Sequence, residues 1–408
     1  MDERKQAALW VMEKLEQAGF AAYLVGGCVR DELMGRQPQD YDVATEARPE
    51  QVQAIFPRTA PTGLQHGTVT VVHNDLPIEV TTFRIEGEYE DRRRPSQVAF
   101  VSSLKLDLAR RDFTVNAMAQ DRHGELIDYF SGMSDLEAKV IRAVGDPMER
   151  FQEDALRMLR AARFVAQFGF SLDAEARQAM VQLKRECRFL SVERVVSELE
   201  KMWKAMAPSA GLEILADTGL FAHLPPFCQW ADGRQLAIER LERFDWVRDR
   251  IVRWSYLLSL CKTDMAGLAA RLNQLKLATR DKEAISACMQ LGLTWQRQTD
   301  EEWKRRLYRF GLDALQRAGQ LACLLELRRP EDPDEMKLAA WWRAMPVKHT
   351  RELAVSGTDL IRQTGRQAGP WVGRTLAYLA EQAALQRIPN EREALLKEGC
   401  QFGAKYTQ

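Results

Sequence analysis

The chain has 408 residues, 46% of them hydrophobic and 28% charged, with 58 Lys and Arg against 58 Asp and Glu. That length suggests about two to four domains, and the composition is that of an ordinary globular protein. A net charge of zero excludes a uniformly basic nucleic-acid coat and a disordered polyelectrolyte, though not local basic stripes.

The longest charge-free run, Thr59 to Asn74, contains Pro61, Gly63, Gln65 and His66. It is not the run of about 20 apolar residues that a membrane span needs, so no membrane partner is expected. The N-terminus, MDERKQAALW, carries acids and lacks an apolar signal core. The seven cysteines (28, 187, 228, 261, 288, 323 and 400) are scattered and include no CxxC. They read as reduced core residues in a cytoplasmic protein. The five histidines show no HxxxH or HExxH spacing, which argues against zinc.

Taken in order, residues 7–18 place Leu9, Met12 and Leu15 at helical spacing and end at Gly19. A short apolar run, AAYLV, follows and stops at Gly26-Gly27. A helical VRDELMG starts near Val29. Residues 67–83 alternate as a hairpin, GTVTVV and PIEVTTF around Asn74-Asp75. Residues 86–96, EGEYEDRRRPS, read as an exposed loop. After Pro147 strand signals nearly vanish and helical periodicity runs to the end, with breaks near 208–211, 225–226, 329–333 and 369–370. The expected fold is an α+β head followed by an extended all-α neck, body and tail. The expected segments are 1–145, 146–205, 206–330 and 331–408.

The segment YLVGGCVRDELMGRQPQDYD (23–42) carries the first chemistry. Gly26 and Gly27 let backbone N–H groups approach an anion, a helix N-terminus adds positive potential, and Arg30 supplies a fixed cation. The same pattern also serves as a plain tight turn. Asp40 and Asp42 are spaced i, i+2, which on a strand puts both carboxylates on one face. Beside a phosphate cradle they can share Mg²⁺; as isolated acids they would only be solvated. Glu79, on PIEVTTF, is a third carboxylate or a supporting one.

LVGGCVRD, its spacing to DYD, and RRDFTVNAMA at 110–119 together resemble the class II tRNA nucleotidyltransferases of the DNA polymerase β superfamily. The likeness continues through GDPMERFQEDALRMLRAARFVAQFGF (145–170) and SVERVVSELEKM (191–202), and more weakly through AVSGTDLI and GRQAGPWVGRTLAYL. No appended HD phosphohydrolase signature is present. The chain looks like the compact bacterial CCA-adding type. The resemblance implies that Asp40 and Asp42 hold the catalytic metal and that Arg111 holds a triphosphate, with Asp112 and Asn116 nearer the sugar. Asp112 and Asn116 could equally stitch the fold.

Residues 150–164 place Arg150, Glu153, Asp154, Arg157 and Arg160 at helical spacing on one side, with Arg163 at the edge of the apolar side. A solvated, ion-paired face is one reading. The chemistry of Asp154 and Arg157 offers another. An ionised Asp only accepts hydrogen bonds and an Arg only donates. Cytosine and adenine each show an amine beside a ring acceptor; guanine and uracil show the opposite polarity. An Asp–Arg pair therefore accepts C and A and rejects G and U. Glu153, Asp154 and Arg157 match the family's EDxxR motif, with Glu153 orienting the arginine, and Arg160 and Arg163 within reach of the triphosphate.

The expected partners are therefore tRNA, CTP and ATP, with a homodimer left open. Arg362, Arg366 and Arg374 are candidates for RNA phosphates. The alternatives are an enzyme adding only A or only CC, a poly(A) polymerase, a nucleotidyltransferase for a small molecule such as an antibiotic, and a non-catalytic RNA-binding protein. In the family, enzymes limited to C addition carry a shortened form of the charged loop at 87–95. The full-length GEYEDRRRP here implies A addition.

Overall fold

The computed structural model describes residues 2–86, 98–230, 236, 238–296 and 298–404. The charged loop 87–95 lies outside the described residues. The chain divides into two compact units, Met1–Trp246 and Val247–Gln408. That boundary falls inside the segment read from sequence as 206–330.

In the first unit, helix α1 (Glu3–Gln17) is capped by Asp2, whose carboxylate accepts from the Arg4 N–H. It starts before its periodic stripe, because this cap and a polar first turn precede Ala7, Ala8, Val11, Met12 and Leu15, which it buries. There follow β1 (Ala22–Val25), α2 (Gly27–Leu33), β2 (Asp42–Thr45), α3 (Pro49–Ile55), β3 (Thr59–Gly63), β4 (Thr68–His73) and β5 (Leu76–Thr82). A two-stranded ribbon, β6 (Arg84–Glu86) and β7 (Val98–Phe100), precedes α4 (Leu104–Ala109), β8 (Met118–Gln120) and β9 (Leu126–Asp128).

The main sheet has the order β3-β4-β5-β2-β1-β8-β9. Strands β2 and β5 run parallel, in register Asp42↔Glu79. The other neighbours are antiparallel. The β4–β5 hairpin turns at Asn74 and Asp75, both at positive φ, the two-residue turn that suits strand twist. One face of the sheet packs on α1, α2 and α3 through residues such as Val11, Val29, Val43 and Val80. The other packs on α4 through Leu104, Leu108 and Phe83.

Helix α5 (Gly132–Ala138) and strand β10 (Val140–Ile141) lead into α6 (Pro147–Glu153) and α7 (Leu156–Phe168). Strand β11 (Ser171–Leu172), α8 (Ala174–Leu183), α9 (Val192–Met202) and α10 (Pro208–Asp217) complete the regular helices of this unit. Pro208 opens α10 at a position that needs no N–H donor, so the expected break lies just before it. Gly211, inside α10, has no room for a side chain: a Cβ there would lie 2.7 Å from the Ala162 carbonyl of α7.

The second unit is helical throughout its described regular structure: α11 (Arg250–Leu260), α12 (Met265–Gln274), α13 (Thr279–Leu293), α14 (Asp300–Phe310), α15 (Leu312–Leu324), α16 (Glu335–Ala344), α17 (Gly357–Thr364), α18 (Pro370–Ala384) and α19 (Arg392–Ala404). Trp295, Trp303, Leu307 and Leu315 centre one core, and Trp341 and Trp342 pack half-buried against it. Leu360, Leu379 and Leu395 centre another. Arg366 donates to the Gly403 carbonyl at 2.7 Å and covers Trp371; Arg362 and Arg374 are exposed. None of the seven cysteines forms a disulfide, and Cys28, Cys187, Cys261 and Cys288 are buried. Among the described residues, no helix is long and apolar enough to cross a membrane.

Candidate active site

A cleft of about 540 Å³ lies in the first unit where β1, α2 and the segment after α4 meet α7 and α9. Its lining carries Arg30, Arg110, Arg111, Arg157, Arg160, Arg163, Arg194 and Lys201 against Asp42, Asp112 and Asp154. Such a surplus of cations in a concave site fits a polyanion.

The cradle is built by close approach. Gly26 ends β1 at φ +78, and a Cβ there would stand 2.6 Å from Arg111 Nη1. Only glycine satisfies both the backbone and the space. Gly26→Ala is therefore expected to destabilise the protein by about 1–3 kcal/mol and to push Arg111 aside. A urea midpoint unchanged from the parent would refute this.

Arg110 and Arg111 are both tied to Asp107, which is 1% exposed: Arg110 Nε donates to it at 3.0 Å, and Arg111 Nη2 pairs with it at 3.5 Å. Arg111 Nε is buried without a hydrogen-bond partner. An anion in the cradle would satisfy it. Arg30, also buried, donates to Asn116 and Asp31 and lies 4.6 Å over the Phe168 ring. Burial pushes the Asp112 carboxyl up, but Arg160 and the Asn116 amide outweigh it and hold it at about 2. Asp112 accepts from Arg160 Nε at 2.7 Å and from Asn116 Nδ2 at 3.0 Å. Arg163 donates to the buried Glu198 at 2.5 Å and covers Phe164.

The acids differ from expectation. Strand β2 begins at Asp42, so Asp40 precedes it. Alternation survives, because Tyr41 between them is buried and its hydroxyl donates to Glu32. Yet Asp40 is turned outward, its side chain 90% exposed and 3.8 Å from Arg4. The cleft is lined by Asp42 but not by Asp40, Glu79 or Glu153. Among the described residues, no three His, Cys, Asp or Glu side chains are grouped to hold a metal ion. Asp42 stands in register with Glu79. Its carboxyl is pushed up to about 6, first by desolvation from the surrounding protein and then by Glu79, with Arg111 opposing and Asp40 adding. Crowded acids of this kind suit a hard divalent cation, which takes one or two carboxylates and completes its shell with substrate phosphates.

Residues 150–164 are not one helix. Asp154 is extended (φ −148, ψ 104) and separates α6 from α7. Aspartate competes well for free N–H groups, and here its Oδ1 accepts from Leu156 N at 3.0 Å, at the start of α7. Its Oδ2 accepts from Arg194 Nη2 at 2.6 Å. Arg157, buried, donates to Glu153 and to the carbonyls of Arg150 and Arg110. Asp154 and Arg157 thus line one cleft, each held by other groups rather than by one another. The lining residues that sequence reasoning missed are Arg110, Leu156, Phe164, Gln167, Arg194 and Lys201. A signal existed for two of them. Arg194, Glu198 and Lys201 recur at i, i+4 and i+7 along α9, one polar stripe beside Val195, Leu199 and Met202.

A family model described as "Poly A polymerase head domain" matches residues 22–142, one described as "Probable RNA and SrmB- binding site of polymerase A" matches 169–230, and one for tRNA nucleotidyltransferase domain 2 matches 247–398. The CCA-adding enzyme of Geobacillus sp. (strain WCH70) is 40% identical over 398 residues, 97% of this chain and 96% of that one. That of Geobacillus kaustophilus is 41% identical over 393 residues, 96% and 95% of the two chains. The crystal structure of the Bacillus stearothermophilus CCA-adding enzyme in complex with CTP superposes with a TM-score of 0.85 at 35% identity, covering 99% of each chain. The Thermotoga maritima CCA-adding enzyme complexed with tRNA shares the fold, with a TM-score of 0.65 at 21% identity, covering 98% of this chain and 95% of that one. On this sequence identity over nearly the whole length, the chain belongs to the bacterial class II CCA-adding enzymes, a family of tRNA nucleotidyltransferases.

Proposed function

We propose that the protein adds CCA to the 3′ end of tRNA from CTP and ATP, without a nucleic-acid template, releasing pyrophosphate. The observation that carries this reading is one cleft holding both a polyanion cradle and an acceptor–donor pair. Gly26, Gly27, Arg30 and Arg111 take the triphosphate, with Arg160 at its edge. Asp154 accepts from the exocyclic amine of the base, and Arg157 donates to its ring nitrogen. Asp112 and Asn116, bonded to each other, line the same cleft and serve the sugar. Arg163 is already engaged by Glu198 and acts through Phe164 and Gln167 rather than as a free phosphate ligand.

The terminal hydroxyl of the RNA attacks the α-phosphate: its O–H bond breaks with loss of the proton to water, a new O–P bond forms, and the bond from the α-phosphorus to the bridging oxygen breaks as pyrophosphate leaves against the arginines. Nucleotidyltransferases of this family are generally metal-dependent. Asp42 with Glu79, and Asp40 once it leaves Arg4, would hold Mg²⁺, which when bound lowers the cost of charge on the attacking and leaving oxygens. A tRNA substrate also fits work in the cytoplasm.

The test is to offer tRNAs lacking the whole CCA, lacking CA, or lacking the final A, with each labelled NTP. Ordered addition of C, C and A, then arrest, is expected. Incorporation of A alone, of C alone, or of an unlimited A tract would overturn full CCA addition. Deleting residues 88–92 should leave both C additions nearly intact and reduce the final A addition by about tenfold or more, if the loop resets the pocket for the larger base. Equal loss of C and A addition would remove that role.

A further inference from the structure

Another cavity, of about 320 Å³, lies within the second unit, between the end of α13 and one side of α14. Leu291 and Phe310 give it an apolar wall, and Glu302, Arg305, Arg306 and Arg309 supply its charges. None of these residues lines the catalytic cleft. The volume is at the small end of the range for small-molecule sites.

Two of the four charged groups are already engaged. Arg305 Nε pairs with Glu381 at 3.0 Å and its Nη2 with Glu301 at 3.6 Å. Glu302 closes the capping box of α14, accepting from Thr299 N at 2.8 Å and from Thr299 Oγ1 at 2.9 Å. Arg306 and Arg309 are left over. Among the described residues, neither makes a hydrogen bond or an ion pair. Arg309, exposed in the last turn of α14, would by itself only favour the helix dipole. Arg306 is different, because its Nη1 is buried without a partner. Burial also holds its guanidinium below the ordinary value, with Glu302 opposing. An unsatisfied buried donor is costly, most of all on a charged group, and a ligand that accepts from it removes that cost.

Three positions apart on one helix, the two guanidinium groups share a side and a cavity. Their planar forks suit phosphate oxygens. Two unpaired positive charges match a phosphate monoester, which carries about −1.5 to −2 at pH 7, better than the single charge of each diester in an RNA backbone. The concave, partly apolar setting points the same way, since a backbone is tracked along an extended groove. Phe310 and Leu291 offer a surface to a flat ring, and the side-chain amides of Gln290 and Gln298, also in the lining, can pair with donors and acceptors on its edge.

We propose that this cavity binds a nucleoside monophosphate, its phosphate on Arg306 and Arg309 and its base against Phe310 and Leu291. The site does not depend on tRNA being the substrate.

Trp303, whose ring lies 5.5 Å from the Arg306 guanidinium, reports on the cavity. Its indole N–H resonance, identified by its loss in Trp303→Phe, should shift saturably when AMP is added to the full-length protein without tRNA. Adenosine, lacking the phosphate, and inorganic phosphate, lacking the base, should each bind about tenfold or more weakly. Arg306→Gln and Arg309→Gln should each weaken AMP by about tenfold, the loss of one charge-assisted hydrogen bond. Arg306→Lys keeps the charge but not the fork and should still bind AMP more weakly than the parent. Turnover at saturating CTP and tRNA should stay parental in all three, which also shows that they fold. A resonance that AMP does not move, or moves equally in the parent and in Arg306→Gln combined with Arg309→Gln, overturns the site. Inorganic phosphate binding as tightly as AMP makes the cavity a plain anion pocket and overturns the nucleotide. A shift with tRNA and none with AMP makes it an RNA contact and overturns the proposal too. A protein that adds nothing to tRNA yet shifts with AMP in the expected way keeps this site and loses only the function proposed above.

Discussion

Asp42→Ala is expected to lower incorporation of both CTP and ATP by about a thousandfold or more, the several kcal/mol a catalytic cation supplies, while tRNA binding stays near parental. Asp42 is the one strand carboxylate that lines the cleft, and Glu79 stands in register beside it. Steady-state addition with each nucleotide, beside a tRNA gel shift, measures both halves; near-normal turnover would sink the assignment. Asp40→Ala tests the second acid. Loss as deep as that of Asp42→Ala means that Asp40 leaves Arg4 and turns inward during the reaction; parental turnover means that it stays outside.

The electrostatics add a signature with a definite sign. The folded value for Asp42, about 6, lies above its ordinary 3.8, with desolvation the first cause and Glu79 the second. Such a group favours the fold below its unfolded value, and that contribution disappears as pH rises through about 6. Above pH of about 7 and without divalent cation, Asp42→Asn should therefore melt higher than the parent while being nearly inactive. If the two proteins melt alike across that range, the acids are not crowded in the manner described.

The second large effect concerns base choice. Asp154→Ala or Arg157→Ala should erode discrimination against UTP and GTP by about a hundredfold or more, since a dry site built on hydrogen bonds rejects mismatched partners by more than that. Affinity for tRNA should change far less. The anchors should matter in proportion. Glu153→Gln weakens one of the three holds on Arg157, which keeps the carbonyls of Arg150 and Arg110, and Arg194→Ala removes the 2.6 Å bond to Asp154, which keeps Leu156 N. Both should show a milder loss of selectivity without a change in which atoms meet the base. Competition among four labelled NTPs decides. Unchanged selectivity in Asp154→Ala would reduce that acid to a helix cap.

Periodicity and turn chemistry made the head legible. The alternation of GTVTVV and PIEVTTF and the Asn74-Asp75 turn gave the β4–β5 hairpin, and YLV gave β1 and its end at Val25, while α2 opens at Gly27, two residues before the expected Val29. Local patterns say nothing of which strands become neighbours, so the parallel pairing of β2 with β5, which places Glu79 beside Asp42, could not be read. The break at Asp154 was missed because a helical stripe of charges runs through it; the capping preference of aspartate was the competing signal. Asp40 faces solvent beside Arg4, a neighbour 36 positions away that no window reveals. Arg194 and Lys201 reach the cleft only because α9 packs on α7.

The triphosphate cradle of the cleft ties the persistence of this protein to the energy state around it. A ligand bound only by the folded chain stabilises it by an amount that grows with the logarithm of ligand concentration, about 2.7 kcal/mol at a hundred times the dissociation constant. A nucleoside triphosphate in the cradle would give the buried Arg111 Nε the partner it lacks. When those pools drain, that added stability is lost, and the molecule becomes easier to unfold and degrade. Starvation would thus thin out the enzyme as well as its substrates.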